Sequence, residues 1–151
     1  MFRGINRLNL DVKGRFAIPT RYREELKRRC DSELVITVDP DLCLLIYPMP
    51  DWQDIERRIM ELPTFKDSTR ILQRLLVGHA TEVEMDAQGR VVLPPPLREF
   101  AGLQRQVVMI GQGARFELWD EARWSGERES WLDKADMAQL KLSSDLNTLS
   151  I

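Results

Sequence analysis

Two short stretches, "DVKGR" (Asp11 to Arg15) and "DAQGR" (Asp86 to Arg90), keep an acid, a glycine and an arginine in the same frame 75 positions apart. An aspartate at the end of a strand can accept hydrogen bonds from the backbone amides of the turn that follows, which fixes the loop. It can also hold the arginine four residues on. That arginine, just beyond Gly14 or Gly89, is presented by a stiff turn with its guanidinium fork already oriented. Such a fork suits phosphate oxygens, where it gives affinity, or the O6 and N7 edge of guanine, where it reads sequence. The competing reading is a plain Asp–Arg bridge that closes a hairpin, worth about 0–1 kcal/mol when exposed. On the residues alone both readings stand.

No other constellation competes for chemistry. His79 is the only histidine and has no cysteine, serine or carboxylate set around it that suggests catalysis. Cys30 and Cys43 lack CxxC spacing and histidine partners, so they read as reduced thiols rather than a zinc site or a disulfide framework. Gly111 and Gly113 in "IGQGAR" lack the third glycine and the following helix of a dinucleotide fingerprint and are assigned to a hairpin turn. Neither an enzyme, a cofactor nor a metal is expected. No window of about 18 apolar residues occurs, which argues against a membrane span, and charges interrupt the start where a signal peptide needs an apolar run. The expected location is the cytoplasm.

The chain carries a formal charge of −2, unhelpful for binding a phosphate backbone, but the charge is unevenly distributed. Residues 1–29 hold nine basic and three acidic side chains, a net +6, whereas residues 117–151 hold four basic and eight acidic ones, a net −4. The basic N-terminal segment is a candidate face for an anionic ligand, with a merely solvated surface as the alternative.

The elements that must position the two motifs repeat as well. "LNLDVKGRFAIPTRYRE" from Leu8 aligns without gaps to "VEMDAQGRVVLPPPLRE" from Val83, and "LLIYPMPDW" matches "FELWDEARW" at an offset of 72. Each copy reads strand, turn, strand, helix, strand, strand, helix. Leu8 and Leu10, then Phe16 and Ile18, alternate with polar neighbours as half-buried strands do. Gly14 supplies the positive φ of the reversal. Thr20 is a candidate N-cap for a short basic helix with Tyr22 and Leu26 on one face. Residues 34–38 and 42–47 form a buried hairpin, echoed by "VVMI" and "RFELW". Helices opened by Asp51 and Asp120 close the copies, the first with Trp52, Ile55, Ile59 and Leu62 in period and the second with Trp124, Trp131 and Leu132 on one side. The four tryptophans read as core or contact residues rather than base-stacking platforms. Between the copies, Ile71, Leu72, Leu75 and Leu76 make a helical stripe ended by Gly78. Residues 134–151 are polar with spaced leucines and read as a loosely held helix or a partly disordered tail.

"DAQGRVVLPPPLRE" resembles the strand-turn-strand-helix signature of AbrB-like swapped-hairpin DNA-binding domains. The opening "MFRGINRLNLDVKGRFAIPTRYR", the repeated Asp-x-x-x-Arg element and "LQRLLVGHATEVEMDAQGR" are similar to the bacterial MraZ family over nearly the whole chain. The resemblance implies an α+β fold in which tandem swapped-hairpin units form one pseudo-twofold barrel with flanking and linking helices. Its expected divisions are a first unit at 5–51, linking helices at 52–79, a second unit at 80–123 and a C-terminal helix and tail at 124–151. It further implies a ring-like homo-oligomer, associated with the nucleoid, that binds tandem repeat boxes in double-stranded promoter DNA upstream of the division and cell-wall gene cluster.

Carried over by position, the reading motif falls on Arg15 and Arg90, oriented by Asp11 and Asp86 with Gly14 and Gly89 in the turns. Lys13, Arg3 and Arg7 are the nearest candidates for phosphate contact. The second copy is the poorer reader, with Gln88 for Lys13, Pro96 for Arg21, and Glu82 and Glu84 ahead of the motif. An antitoxin-like or scaffolding module is the alternative, and a dedicated partner-binding tail would favour it.

Overall fold

Strand pairing crosses the two repeats. The computed structural model describes residues 1–133, and the expectation for residues 134–151 lies outside them. In chain order the first repeat contributes β1 (Phe2–Asn9), β2 (Arg15–Ala17), α1 (Thr20–Cys30), β3 (Glu33–Val38), β4 (Leu44–Pro48) and α2 (Met49–Met60). A connecting helix, α3 (Asp67–Leu72), runs into a π-helical turn over Gln73–Val77. The second repeat follows with β5 (Thr81–Glu84), β6 (Arg90–Val92), α4 (Pro95–Phe100), β7 (Gln106–Gly113), β8 (Phe116–Asp120) and α5 (Glu121–Trp131). The class is α+β, with the element order that the repeat pattern predicts.

Six strands form one antiparallel sheet in the order β1-β7-β8-β4-β3-β5. Equivalent strands of the two repeats fall symmetrically about the β8–β4 pair, so the order itself shows a pseudo-twofold. The first strand of each repeat has left its own unit: β1 pairs with β7 from Phe2↔Gly113 to Asn9↔Gln106, and β5 pairs with β3 from Glu84↔Glu33 to Thr81↔Ile36. The short second strands pair with each other in a separate ribbon, Arg15↔Val92, Phe16↔Val91 and Ala17↔Arg90.

The main core joins one face of the sheet to the ribbon, α1 and α4. Leu34, Ile36, Leu44, Ile46, Met109, Phe116 and Leu118 meet Phe16, Ile18, Leu26, Val91, Leu93 and Leu97 there. Phe2, Tyr22 and Phe116 form an aromatic cluster with ring centroids 4.3–5.9 Å apart, so the first strand and first helix lock onto the second repeat's last strand. The Tyr22 hydroxyl donates to the Arg3 carbonyl and accepts from Asn6 Nδ2 at 3.0 Å. A smaller core covers the opposite face, where Val35, Leu45, Tyr47 and Trp52 pack with Ile55, Leu76 and Val77. The buried Thr37 hydroxyl there is satisfied by the Leu76 carbonyl at 2.6 Å. Residues Met1–Asp120 make one compact unit, and the chain from Glu121 makes a second. Within α5 the Trp124 and Trp131 rings meet at 5.5 Å, with Trp131 and Leu132 exposed. Trp52 and Trp119 are core residues, 3% and 1% exposed.

Several local expectations change. Thr20 is the first residue of α1, not its cap: Pro19 holds the capping position with ψ 138°, and no side chain caps the helix. Proline's fixed φ suits the extended residue ahead of a helix, and the Pro19 carbonyl takes the Tyr22 amide at 3.0 Å. Asp51 lies in the first turn of α2, which starts at Met49, and its carboxylate binds Arg29 at 2.8 Å. Asp120 ends β8 and accepts from the Gln104 amide. Ile71 is 54% exposed because the π-helical turn rotates the apolar stripe onto Leu75, Leu76 and Val77. Gly78 has a right-handed φ of −63°, and what demands glycine there is the Arg74 carbonyl, which would overlap a Cβ. Gly111 sits within β7, where a Cβ would stand 2.7 Å from the Arg3 Cα of the crossing strand. Gly113, φ 79°, is the residue at the hairpin end.

Candidate nucleic-acid interface

Both motif loops fold by the same local bonds. In the first, the Gly14 amide donates to the Asp11 carbonyl at 3.0 Å and the Asp11 amide to the Arg15 carbonyl at 2.9 Å, closing a tight reversal. Asp11 Oδ1 accepts from the amides of Lys13 at 2.9 Å and Arg15 at 2.8 Å. The second loop repeats this at Asp86, whose Oδ1 accepts from Gln88 and Arg90 at 2.9 and 2.8 Å. Gly14 and Gly89 turn the chain at φ +82° and +80°. The aspartate's role as organiser of the turn amides is therefore present in both copies.

The side chains differ. Arg15 Nε donates to Asp11 Oδ2 at 2.8 Å, which leaves both terminal nitrogens of the fork open. Arg90 gives only its backbone amide to Asp86, and its guanidinium has no ion pair among the described residues. The Arg15 amide, then its guanidinium, hold the Asp11 carboxyl below the ordinary aspartate value of 3.8. A lowered carboxyl keeps its loop bonds at neutral and mildly acidic pH and loses them as pH falls through the lowered value. An NMR titration of the Asp11 carboxyl should therefore show a midpoint below that of an ordinary aspartate. Arg15→Ala should raise it only part of the way, because the backbone donors persist. A midpoint unchanged by that substitution would rule out the side-chain contribution.

The β2–β6 register brings the two arginines together. Phe16 and Val91 point into the core, so Arg15, Ala17, Arg90 and Val92 line the ribbon's outer face. Arg15 stands opposite Val92 and Arg90 opposite Ala17, which makes the arginines diagonal neighbours, about 7–8 Å apart at the backbone. Lys13 is exposed in the first turn. Arg3 and Arg7 go elsewhere: they alternate with the core-facing residues of β1 and lie opposite Gln112 and Val108, on the sheet face away from the main core and its ribbon.

Two features escaped the sequence reading. Val12, at the tip of the first loop, is 95% exposed, a value that hydropathy could not single out. Beside each loop lies a shallow hollow, and the two differ in charge. The first holds Arg98 and Arg105 with Asp11 as its one carboxylate, whereas the second sets Arg23 and Lys27 against Glu24, Asp31, Glu84 and Asp86. The surroundings of Asp11–Arg15 thus favour an anion far more than those of Asp86–Arg90.

The histidine and the two cysteines lie away from both loops in sequence and are engaged or buried. His79 Nδ1 lies 2.8 Å from the Leu75 carbonyl, with the ring against Phe100. Cys30 and Cys43 are buried free thiols, and burial pushes both up, Cys43 strongly, away from thiolate chemistry. No cluster of three or more metal-ligating side chains occurs among the described residues, and no helix there is long and apolar enough to cross a membrane.

The family model described as "MraZ protein, putative antitoxin-like" matches residues 1–75 and again 76–139, one match for each repeat. The chain belongs to the MraZ family. Its curated relatives include proteins named "Transcriptional regulator MraZ" from Halorhodospira halophila, 50% identical over the full length of both chains, and from Thioalkalivibrio sulfidiphilus, 57% identical over 90% of this chain and 91% of the relative. A third, from Methylococcus capsulatus, is 51% identical over 93% of each. The names of these MraZ relatives are those of a regulator and not of an enzyme. The two family matches meet at residues 75 and 76, inside the π-helical turn that joins the repeats.

Proposed function

We propose that the chain is a sequence-specific DNA-binding transcriptional regulator whose β2–β6 ribbon presents Arg15 and Arg90 to one groove of double-stranded DNA. The observation that carries this is the ribbon itself: two arginines, one from each repeat, share its solvent face, and the loop carboxylate leaves the Arg15 fork open. A two-stranded ribbon fits the major groove, where a guanidinium pairs with guanine O6 and N7. Lys13 supplies a phosphate contact at the first loop. Arg3 and Arg7, on the other face of β1, serve phosphate or a neighbouring subunit. Asp11 and Asp86 orient the loops, and Val12 is available to touch a thymine methyl. The first loop, with Lys13 in its turn and a single carboxylate in its hollow against four in the other, contributes more of the affinity than the second.

The sheet and the ribbon act as walls of one pseudo-twofold barrel, with repeat units at 5–51 and 80–123, linking helices at 52–79 and a C-terminal element at 124–151. One ribbon offers few cations, so the protein works as a ring-like homo-oligomer in the cytoplasm, at the nucleoid, on tandem boxes upstream of division and cell-wall genes. Each later contact is then intramolecular. Charge supports head-to-tail association: β1, at one end of the sheet, carries Arg3 and Arg7, while β5, at the other, carries Glu82 and Glu84.

The test is salt-dependent binding to the chain's own upstream DNA. Affinity should exceed that for a scrambled duplex by about 10³-fold or more and fall linearly with log salt. Equal affinity for both rejects the reading. Inserting about 5 bp, half a helical turn, between boxes should sharply weaken binding by turning successive sites to opposite faces, and unchanged affinity would reject the tandem arrangement.

A further inference from the structure

Each glycine of the two loops rests against the opposite repeat. A Cβ on Gly14 would stand 2.8 Å from the Leu93 carbonyl and 3.1 Å from Arg98 Nε and Cζ, all in the second repeat. A Cβ on Gly89 would overlap the guanidinium of Arg23 and lie 2.7 Å from its Cδ, in the first repeat. Backbone bonds run the same way: the Leu93 amide donates to the Gly14 carbonyl at 2.7 Å, and the Ile18 amide to the Gly89 carbonyl at 2.8 Å. The geometry points to Arg23 and Arg98 as positioning residues that act across the repeats, Arg98 seating the Asp11–Arg15 loop and Arg23 seating the Asp86–Arg90 loop.

The side-chain type fits the task. Arginine is planar, so it forms a flat floor under a bare glycine backbone, and its long stem packs while the charged head stays near water. Arg23 is half-buried and pinned, with Nε donating to the Ile18 carbonyl at 2.7 Å. Arg98, also half-buried, occupies the equivalent place on α4, but its Nε is buried with no hydrogen-bond partner among the described residues. The floor under the first loop is therefore held by packing against Gly14 without that bond. Glycine in the turn serves two ends: it permits the positive φ and lets the loop settle on the guanidinium.

The consequence is a crossed dependence. The orientation of Arg15 depends on a residue of the second repeat and that of Arg90 on a residue of the first. This rests on the reading of the loops as the DNA contacts, and the experiment separates the two ideas.

Without DNA, Arg98→Ala should shift the NMR amide resonances of Lys13, Gly14 and Arg15 and leave Gln88, Gly89 and Arg90 near their places, while Arg23→Ala should do the reverse. Arg98→Lys, which keeps charge and stem, should show the same pattern without restoring the native resonances and covers the case in which Arg98→Ala fails to fold. Shifts confined to each arginine's own repeat, or spread equally over both loops, would overturn the proposal. With operator DNA, Arg15→Ala and Arg98→Ala should be non-additive by about tenfold, in the range for residues that act through one another, whereas Arg15→Ala and Arg23→Ala should be additive. Arg98→Ala should leave the salt slope unchanged, and a slope reduced by about one would mark Arg98 as a direct phosphate contact and overturn the positioning role. Crossed resonance shifts with DNA binding indifferent to Arg15 would uphold the seats and reject the loops as readers.

Discussion

Arg15→Ala is expected to weaken binding to operator DNA by about 5- to 150-fold, the 1–3 kcal/mol that a bidentate arginine–guanine contact is worth, with the fold intact. The side chain is about 40% exposed and bonded only within its loop, so its removal leaves the core untouched. The loss should be largest at one guanine position and smaller on a scrambled duplex, as a base contact requires. Arg90→Ala should cost less. Its guanidinium has no carboxylate to orient it, so binding must order a long side chain at about 0.5–1.5 kcal/mol, and the adjoining hollow carries four carboxylates. Asp11→Ala should produce a partial loss by releasing the fork. Titrations at fixed salt, with circular dichroism to check folding, decide the order. A larger effect at Arg90 would reverse the assignment of the stronger reader.

Phe116→Ala is expected to destabilise the Met1–Asp120 unit by about 3–5 kcal/mol, a large share of the roughly 5–15 kcal/mol typical of a domain. The ring is fully buried and fills the junction between Phe2 and Tyr22, at centroid distances of 4.3 and 4.9 Å. Phe2 is held by the pairing of β1 with β7, and Tyr22 by its hydroxyl's bonds to Arg3 and Asn6, so most of the cavity penalty should be felt. Because β1 and β5 each complete the other repeat's half of the sheet, the two repeats should melt together. Calorimetry should give a single transition for this unit in both wild type and variant, at a lower temperature in the variant. Two separate transitions for Met1–Asp120 would show that the repeats are independent.

The repeat, the element order and both turns were legible because each is written locally: alternating apolar residues, an Asp to bind the turn amides, a glycine for positive φ. The exchange of partners was not. Leu8 and Leu10 announce a strand, but period two is silent on whether that strand joins β3 or β7. The same parity shows that Arg3 and Arg7 leave the core-facing side of β1, and only the packing of the ribbon onto that side shows that the two arginines are also turned from the ribbon. Ile71 misled because a single π-helical turn advances the helical phase, and nothing in the residue types marks it. Nothing in residue type or spacing sets Arg23 and Arg98 apart from the other basic residues. Their place under the glycines follows from which helix the exchanged architecture brings to which loop.

The pairing of Phe2 with Gly113 also sets a timetable for synthesis. At about 5–20 residues per second, the N-terminal strand emerges from the ribosome roughly 5–20 seconds before its partner exists. During that interval the first repeat cannot complete itself, and an unpaired edge is open to neighbouring nascent chains. Arg3 and Arg7, with Gly4 between them, put like charges and a weak strand former on that waiting segment. Like charges on an unpaired strand work against edge-to-edge pairing, so the segment that waits longest for its partner carries two of them.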